Sequence, residues 1–366
     1  MKNKTKKISP AQLFFIIIQT QIGVGIFSLP NTMAKASKID GWISLFLGGI
    51  VVQIFIMLYY FIMKKFPNKK VKEIVELIFG KKMKIIFEIG LLLYSIIVSV
   101  LILNLYTRML DRWVLPETPN WILSLIMVVS CYFLAKEEIR VIARFYVIVS
   151  LFLFIFIALI IYSLKDANIY YILPIGSSGW KDILFGTKDV IIALLGFEII
   201  MFLTAMTSGT LELKIKFITA SNIVVTLFYL LTTIACFLFF SPADILLIPE
   251  PLLYLIKAFS FKIIERTDLL FLSLWIVLVF TSFVSYVFWG AECIKGIFNS
   301  EKSSKNTFII LAIIFFAALL PLDTEQSMNQ FSKYASYAGY MIISIPMVLL
   351  PFVLFSRKGQ QHAKDN

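Results

Sequence analysis

The sequence has few of the residues from which enzymes assemble active sites. Its 366 residues include one histidine, His362, which lies in the C-terminal tail. It has no zinc-ligand spacing, no P-loop, no GxSxG motif and no pair of carboxylates within one apolar segment. The pattern argues against an enzyme, and neither a metal nor a cofactor is expected.

Cysteine is also scarce. The three cysteines, Cys131, Cys236 and Cys293, are far apart, and each lies in or next to an apolar stretch. They form neither a CxxC motif nor an extracellular pair, so we interpret them as buried, unreactive thiols.

Charged residues make up only 15% of the chain, whereas 60% of residues are hydrophobic and the mean hydropathy is +0.90. A soluble core cannot bury so much apolar surface, so the chain is predicted to be an integral membrane protein in a lipid bilayer. The net charge of +12 belongs to short loops and reflects membrane orientation, so no nucleic-acid partner is expected. The basic segment 1–7 leads into a full-length apolar run without a small-residue cleavage site, and no signal peptide is predicted.

Ten apolar segments have about the ~20 residues that cross a bilayer, although the fourth and ninth are short. The predicted spans are 11–33, 42–63, 85–106, 121–135, 145–164, 190–206, 217–240, 269–290, 307–320 and 340–355. The predicted fold class is an all-α integral membrane protein with ten transmembrane helices.

The distribution of lysine and arginine predicts the orientation of these spans. When loops are assigned alternately to the two sides, one side holds 23 of the 34 basic residues and the other holds the remaining 11. Cytoplasmic loops carry the excess of Lys and Arg. Both termini are therefore predicted to lie in the cytoplasm.

Two segments between spans show helical patterns of their own. After span two, Val71, Ile74, Val75 and Ile78 recur at helical spacing, with charged residues on the other faces. This pattern predicts a short surface helix that either connects two spans or docks a partner. On the outer side, 252–259 predicts another short helix, which is either a lid or a connection.

Five predicted spans precede the longest outer loop and five follow it. An odd number of spans per half gives the halves opposite orientations, as an inverted repeat requires. The first span of each half is interrupted, at 19–30 and at 194–200. We predict a single transporter-like domain over 1–366, a five-plus-five inverted repeat with halves at approximately 11–164 and 188–356 and with broken helices one and six.

The break in span one is centred on Gly23, Val24 and Gly25. Peptide groups left unpaired there can offer N–H donors to a carboxylate and C=O acceptors to an ammonium, which suits a zwitterionic amino acid. Gln21 and Ser28 nearby favour a polar cavity. The structural alternative is that two small residues let a neighbouring helix approach closely.

Glu198 lies in the middle of the apolar segment 190–203. A carboxylate near the bilayer midplane is costly, so it is normally protonated, paired or wetted by a cavity, and it marks a candidate site. Gly196 permits local unwinding beside it, and Phe197 lies between the two. The alternative is a structural acid that hydrogen-bonds to a backbone carbonyl or hydroxyl and holds helices together.

Further polar residues lie in spans three and eight. In span three, Tyr94, Ser95 and Asn104 either contribute to the pocket or make local hydrogen bonds within the helix. At the outer mouth, the segment 265–268 with Trp275 is either an external gate or an interfacial charge cluster with a Trp anchor.

The hydroxyls of Thr281, Ser282 and Ser285 have two explanations as well. They can contribute to an ion site, or they can bond to the backbone of their own helix.

Four segments in order resemble the spore germination permease family. They are Ile-Ser-Pro-Ala-Gln-Leu at 8–13, Gln-Ile-Gly-Val-Gly-Ile at 21–26, Gly-Phe-Glu at 196–198 and Glu-Arg-Thr-Asp-Leu-Leu-Phe-Leu-Ser-Leu-Trp at 265–275. Each motif is loose, but their order and spacing cover essentially the whole chain, and the size and ten-span topology agree.

The resemblance implies a branch of the amino acid, polyamine and organocation transporter superfamily, with its five-plus-five inverted-repeat fold. It implies the B subunit of an endospore germinant receptor, in the inner membrane of a dormant spore, together with an A-type membrane subunit and a C-type lipoprotein subunit. A Glu in span six departs from the pattern of many amino-acid transporters, so sodium coupling is not implied. The expected ligand-binding residues are Gln21, Gly23, Val24, Gly25, Gly196, Phe197 and Glu198.

The expected function is therefore a membrane subunit that binds a small germinant, such as an amino acid, and signals to its partners. One alternative is a proton- or ion-coupled amino-acid transporter in which Glu198 carries the proton. Another is a passage for water or ions along the same cavity. Receptor and carrier need the same pocket, so the residues alone do not separate them, nor do they identify the germinant.

Overall fold

The computed structural model describes residues 7–67, 69–259, 266–300, 303–320, 322 and 324–355. Within these residues the regular elements are helices, together with one isolated bridge between Ile8 and Thr207. Glu265 and His362, both considered in the sequence, lie outside the described residues.

The helices of the first half are α1 Pro10–Gln21, α2 Leu29–Ser37, α3 Gly41–Lys65, α4 Val71–Phe79, α5 Lys81–Trp113, α6 Asn120–Ala135, α7 Ile139–Val149 and α8 Phe152–Ser163. Those of the second half are α9 Trp180–Ala193, α10 Ile200–Leu203, α11 Leu211–Phe239, α12 Asp244–Leu247, α13 Pro251–Lys257, α14 Thr267–Phe298, α15 Ser303–Ala318 and α16 Glu325–Phe355. Short 3₁₀ turns join several of them.

Several of these helices are long and apolar enough to cross a bilayer. Within the described residues there are six such segments by length and composition, and the bent pair of α9 and 197–206 raises the number to seven. The shorter apolar helices α6 and α15 coincide with the predicted short spans four and nine. The all-helical membrane fold is confirmed, and the count of ten spans stays a prediction.

Two helices begin well before the predicted spans. α9 begins at Trp180, where span six was predicted from 190, and α16 begins at Glu325, where span ten was predicted from 340. The additional turns contain charged and polar residues, which are compatible with helix but lower the local hydropathy. Hydropathy therefore predicts only the most apolar part of these helices.

Span one is interrupted, as predicted. α1 ends at Gln21, a 3₁₀ turn covers Val24–Ile26, and α2 begins at Leu29, with Pro30 in its first turn. Proline is tolerated there because its missing N–H would have no intrahelical partner.

Span six is interrupted at the corresponding place of the second half. α9 ends at Ala193, and the 3₁₀ turn Phe197–Ile199 leads into α10, with a bend of 52° between the two parts of the span. α1 packs against α7, α11 and α14, so the first break lies inside the bundle.

The N-terminal segment lies on the same side as the end of span six. Ile8 N donates to Met206 O at 3.0 Å, and Ser208 N donates to Ile8 O at 2.8 Å. α1 then begins with a capping box, in which Ser9 and Gln12 satisfy each other's backbone N–H. We call this the inner side, following the predicted orientation, and the opposite side the outer side.

The short helix predicted after span two is observed as α4, and its position on the membrane surface stays a prediction. It buries Val71, Ile74 and Val75 and packs against α5. The outer helix predicted over 252–259 is observed as α13.

Candidate functional site

The two broken spans cross where Gly196 meets Gln21. Gly196 has a φ of 119°, in the left-handed region that favours glycine. A Cβ on Gly196 would lie 2.7 Å from Gln21 N and 2.8 Å from the carbonyl carbon of Thr20. Both the backbone conformation and the close approach of span one therefore require glycine here.

Glu198 is fully buried just after this crossing and accepts three hydrogen bonds. Tyr94 Oη donates to Glu198 Oε1 at 2.8 Å, and Tyr286 Oη donates to the same oxygen at 2.9 Å. The backbone N–H of Gly196 donates to Oε2 at 2.6 Å. These donors supply the hydrogen bonds that a buried carboxylate needs once it has left water.

The two tyrosines bring the long helices to the break in span six. Tyr94 lies on α5 and Tyr286 on α14, and both are buried. Their rings meet edge to face at 6.0 Å, and Trp289 packs on both. Glu198 therefore links spans three, six and eight.

Gln21 makes contacts through its side chain and its backbone. Its Nε2 donates to Leu194 O at 2.7 Å, and Tyr229 Oη donates to Gln21 O at 2.8 Å. These bonds satisfy carbonyls that the two broken helices would otherwise leave unpaired. Gln21 Oε1 is buried and has no hydrogen-bond partner among the described residues.

Gly23, Val24 and Gly25 lie further toward the outer side of the break. Gly23 is buried, and its carbonyl accepts from Trp275 Nε1 at 3.4 Å. A Cβ on Gly23 would lie 3.1 Å from Ser282 Oγ. Val24 is half-buried and Gly25 is exposed. The glycines thus combine both proposed roles, because Gly23 lets span eight approach closely and Gly25 leaves the backbone open.

The hydroxyls of span eight hold it to span one. Ser282 Oγ donates to Thr20 O at 2.9 Å, and Thr20 Oγ1 donates to Ser285 Oγ at 2.8 Å. Thr281 Oγ1 lies 2.8 Å from Gln19 Oε1 and 2.7 Å from Leu278 O. These groups are therefore engaged in binding the two helices to each other.

The interpretation of Trp275 as an interfacial anchor is wrong. Its side chain is buried, and its ring packs on Phe27 at 4.7 Å and stacks with Tyr106 at 6.4 Å. Arg266 and Asp268 pair locally at 2.9 Å. Hydropathy does not distinguish an aromatic residue at a membrane surface from one buried beside a helix break.

The secondary candidates in span three separate into two groups. Asn104 Nδ2 donates to Val100 O at 3.0 Å, and Ser95 Oγ donates to Leu92 O at 2.8 Å, so both bond within their own helix. Tyr94, in contrast, contacts Glu198.

Two further tyrosines at the crossing, Tyr229 and Tyr286, were not predicted from the sequence. Only their position on apolar helices beside other polar residues could have indicated them.

An outer vestibule lies on the open face of the break in span one. Its volume is about 300 Å³. Its polar and charged lining combines residues from span one, span three, the segment before α13 and the start of α16, namely Ser28, Lys35, Arg108, Arg112, Glu250, Glu325, Asn329 and Ser332. No sequence motif predicted this cavity, because its residues come from four distant parts of the chain.

The amino-acid sequence is similar to known proteins over most of its length. A family model described as spore germination protein matches residues 7–327. The chain is 28% identical over 363 residues to spore germination protein A2 of Bacillus subtilis (strain 168), covering 97% of this chain and 96% of that protein. It is 25% identical over 350 residues to spore germination protein GerQB of Bacillus cereus, covering 94% of each.

The fold is similar to those of solved transporters. A Na⁺-coupled sialic acid symporter, bound to substrate in an outward-open state, matches with a TM-score of 0.68 at 13% identity and covers 93% of this chain and 78% of its own. MhsT in complex with L-phenylalanine matches with a TM-score of 0.64 at 15% identity and covers 98% and 95%. At these identities the similarity concerns the fold alone.

Proposed function

This chain belongs to the spore germination protein family, and on that premise we propose that it is the germinant-sensing membrane subunit of a spore germination receptor. It binds a small nutrient such as an amino acid where broken spans one and six meet. Binding changes the arrangement of the spans, and the change passes to an A-type membrane subunit and a C-type lipoprotein subunit. The proposed location is the inner membrane of the spore, with both termini in the cytoplasm.

The observation that supports this proposal best is the unpaired acceptor at the helix crossing. Gln21 Oε1 is buried and finds no hydrogen-bond partner in the part of the chain that the structure describes, and an unpaired buried polar atom costs about 1–3 kcal/mol. A ligand ammonium or other donor that reaches Gln21 would remove this cost. The same crossing contains Gly196, Phe197 and Glu198 of span six, so a ligand bound there contacts both broken spans.

Ligand binding can drive a signal only if the ligand prefers one arrangement of the spans. In the present arrangement Glu198 is fully buried, and Phe27 and Trp275 pack together beside Gly23. We propose that the ligand favours a state in which these aromatic side chains have separated from each other. The free energy of the signal is then the difference in ligand affinity between the two states.

The experiment that tests this function combines binding with a spore response. The purified full-length chain in nanodiscs is titrated with the protein amino acids, and spores that carry the receptor are tested with those that bind. We expect at least one amino acid to bind and to trigger germination. Loss of germination on deletion of the A-type or C-type partner would support signalling within a complex, and a full response without both partners would contradict it.

A second candidate function is transport of the same ligand, supported by the similarity of the fold to a solved Na⁺-coupled sialic acid symporter. Glu198 is the residue that would carry a proton in such a mechanism. Accumulation of the ligand inside proteoliposomes separates this function from sensing.

A further inference from the structure

The outer vestibule carries more positive than negative charge. Its ionisable lining residues are Lys35, Arg108, Arg112, Glu250 and Glu325. Arg112 Nη1 lies 2.5 Å from Glu250 Oε1, so these two charges neutralise each other. Two positive charges and one negative charge remain to face a ligand.

The guanidinium of Arg108 is oriented by backbone carbonyls. Its Nη2 donates to Leu322 O and, at 3.0 Å, to Thr324 O, both just before α16. These bonds fix the direction of the side chain and use only one of its nitrogens. A guanidinium has five N–H donors and binds a carboxylate through two parallel bonds, so the remaining donors can take a ligand carboxylate.

The break in span one is open to this vestibule. Val24 and Ser28 line it, and a Cβ on Gly25 would have no described heavy atom within 4 Å. Glu198, in contrast, is fully buried. A ligand that arrives from the outer side therefore meets the charges of the vestibule before it meets the helix crossing.

We propose that this vestibule is a binding site of its own for a small zwitterion, with the ligand carboxylate on Arg108 and Lys35 and the ligand ammonium on Glu325. Charge-assisted hydrogen bonds of this kind are short and strong. The excess of positive charge disfavours compounds that have an ammonium but no carboxylate. A volume of about 300 Å³ lies at the small end of small-molecule pockets, which excludes large ligands.

This inference rests on the proposed function and deepens it. It assigns the first contact of the ligand to residues other than Gln21 and Glu198. It also assigns the selection for a free carboxylate to Arg108 and Lys35. The vestibule is thus an outer site, and the helix crossing is the inner site that responds.

Protection of an introduced thiol tests occupancy of the vestibule. Ser28 is exposed in its wall, and Cys131, Cys236 and Cys293 are buried, so Ser28→Cys provides one accessible position among the described residues. The full-length variant in nanodiscs is labelled with a charged maleimide in the presence of each protein amino acid. Each protecting amino acid is then compared with its amide, which lacks the carboxylate, and its deamino analogue, which lacks the ammonium.

We expect the intact amino acid to slow labelling and the amide to give no protection. Arg108→Gln in the Ser28→Cys background removes a charged hydrogen bond of about 1.5–3 kcal/mol, so the half-protecting concentration should rise at least about tenfold. Arg266→Gln is the matched control, because Arg266 is an outer-side arginine that pairs with Asp268 and does not line the vestibule. It should leave the half-protecting concentration unchanged.

Three results would overturn the inference: equal protection by the amide, an unchanged half-protecting concentration in Arg108→Gln, or protection by no amino acid. If amino acids still trigger germination of spores while Ser28→Cys stays unprotected, the outer site is wrong and the proposed function stands. Protection without any germination response would support the outer site and contradict the proposed function.

Discussion

At the scale of single residues, Glu198 is the group on which the crossing depends most. Its carboxylate accepts from Tyr94, Tyr286 and the Gly196 N–H, and each donor is buried. A buried donor left unpaired costs about 1–3 kcal/mol. Substitutions that remove different numbers of these bonds therefore distinguish hydrogen bonding from proton transfer.

Glu198→Gln should retain more function than Glu198→Ala. Glutamine keeps an oxygen for the two tyrosines but presents an NH₂ group to the Gly196 N–H, so about one of three bonds is lost. Alanine loses all three. We expect an intermediate germinant response for Gln and little or none for Ala, measured as the germinant concentration that gives half-maximal spore germination.

The exposed Glu137, substituted in the same two ways, is the control and should respond like the parent. Equal loss in both Glu198 variants would favour proton transfer. An unchanged response in an abundant Glu198→Ala protein would mean that Glu198 is incidental to function.

Gly196 should tolerate no side chain. Alanine there would adopt a backbone conformation that costs about 1–3 kcal/mol, and its Cβ would lie 2.7 Å from Gln21 N. We expect Gly196→Ala to lower the unfolding temperature of the purified protein. Gly90→Ala in α5 is the control, because its Cβ would meet no described heavy atom within 4 Å, and it should be neutral or stabilising. Equal unfolding temperatures for the two variants would contradict this account of the crossing.

At the scale of elements, α4 joins the inner ends of spans three, six and eight. Lys72 of α4 pairs with the buried Glu88 of α5 at 2.6 Å, where α14 contributes Gly296. A Cβ on Gly296 would lie 1.8 Å from Glu88 Oε1. The ammonium of Lys70 lies 4.8 Å from the ring of Phe202, in α10. The region around α4 therefore contacts spans three, six and eight at their inner ends.

Charge reversal of the Lys72 and Glu88 pair should destabilise this inner contact. Lys72→Glu places two carboxylates together, and breaking a buried ion pair costs about 3–5 kcal/mol. We expect a large fall in the unfolding temperature and partial recovery in the double exchange with Glu88→Lys. The more exposed pair of Lys84 and Glu76, 2.5 Å apart, is the control and should change stability by about 0–1 kcal/mol. Similar losses for the two pairs would refute a special role for Glu88.

The outer helix α13 and the residue before it contact the C-terminal end of α5. Arg112 pairs with Glu250 just before α13, and the rings of Trp113 and Tyr254 meet edge to face at 5.0 Å. Burial raises the pKa of Glu250, and Glu325 adds to the rise, whereas Arg112 opposes it. Glu250 therefore takes up a proton at a higher pH than an exposed glutamate does, and its ion pair is present above that pH and lost below it.

Acidification should consequently stabilise the docked position of α13. The docked arrangement holds the pKa of Glu250 above its usual value, so it binds the proton more tightly than an arrangement in which Glu250 is exposed to water, although Arg112 loses its charged partner. We expect hydrogen exchange of Pro251–Lys257, corrected for its intrinsic pH dependence, to slow as the pH falls through the raised pKa of Glu250. Glu250→Gln has no proton to take up at this position and should show no such slowing. A parent protein whose exchange stays constant or accelerates, or a variant that still slows, would contradict the pH dependence.

At the scale of the whole molecule, a sensor and a carrier differ in what the crossing of spans one and six accomplishes. A sensor needs only a shift between two states, whereas a carrier must open the site to each side in turn. We expect the purified chain in proteoliposomes to bind its amino acid without accumulating it against a gradient. Concentrative uptake driven by a proton or ion gradient would show that the chain is a transporter.

The sequence predicted the broken spans and missed much of their surroundings. Glu198 is unusual in an apolar helix, and Gly23, Gly25 and Gly196 permit a helix to break, so the sequence alone indicates each of them. Tyr286 is ordinary in such a helix, and its role follows from a contact with a residue 88 positions away. The vestibule is less predictable still, because Arg108 and Glu325 meet only after the helices have packed.

The amino-acid sequence by itself determined the membrane class and the all-helical fold, because its apolar residues recur in runs long enough for a bilayer, where backbone groups must be paired within helices. It also determined where two helices break, because glycine and proline act locally. Only the tertiary structure decided that Glu198 is bound by two tyrosines, that Trp275 is buried, and that five charged side chains surround one outer cavity. Such contacts depend on the relative positions of packed helices, which no local pattern encodes.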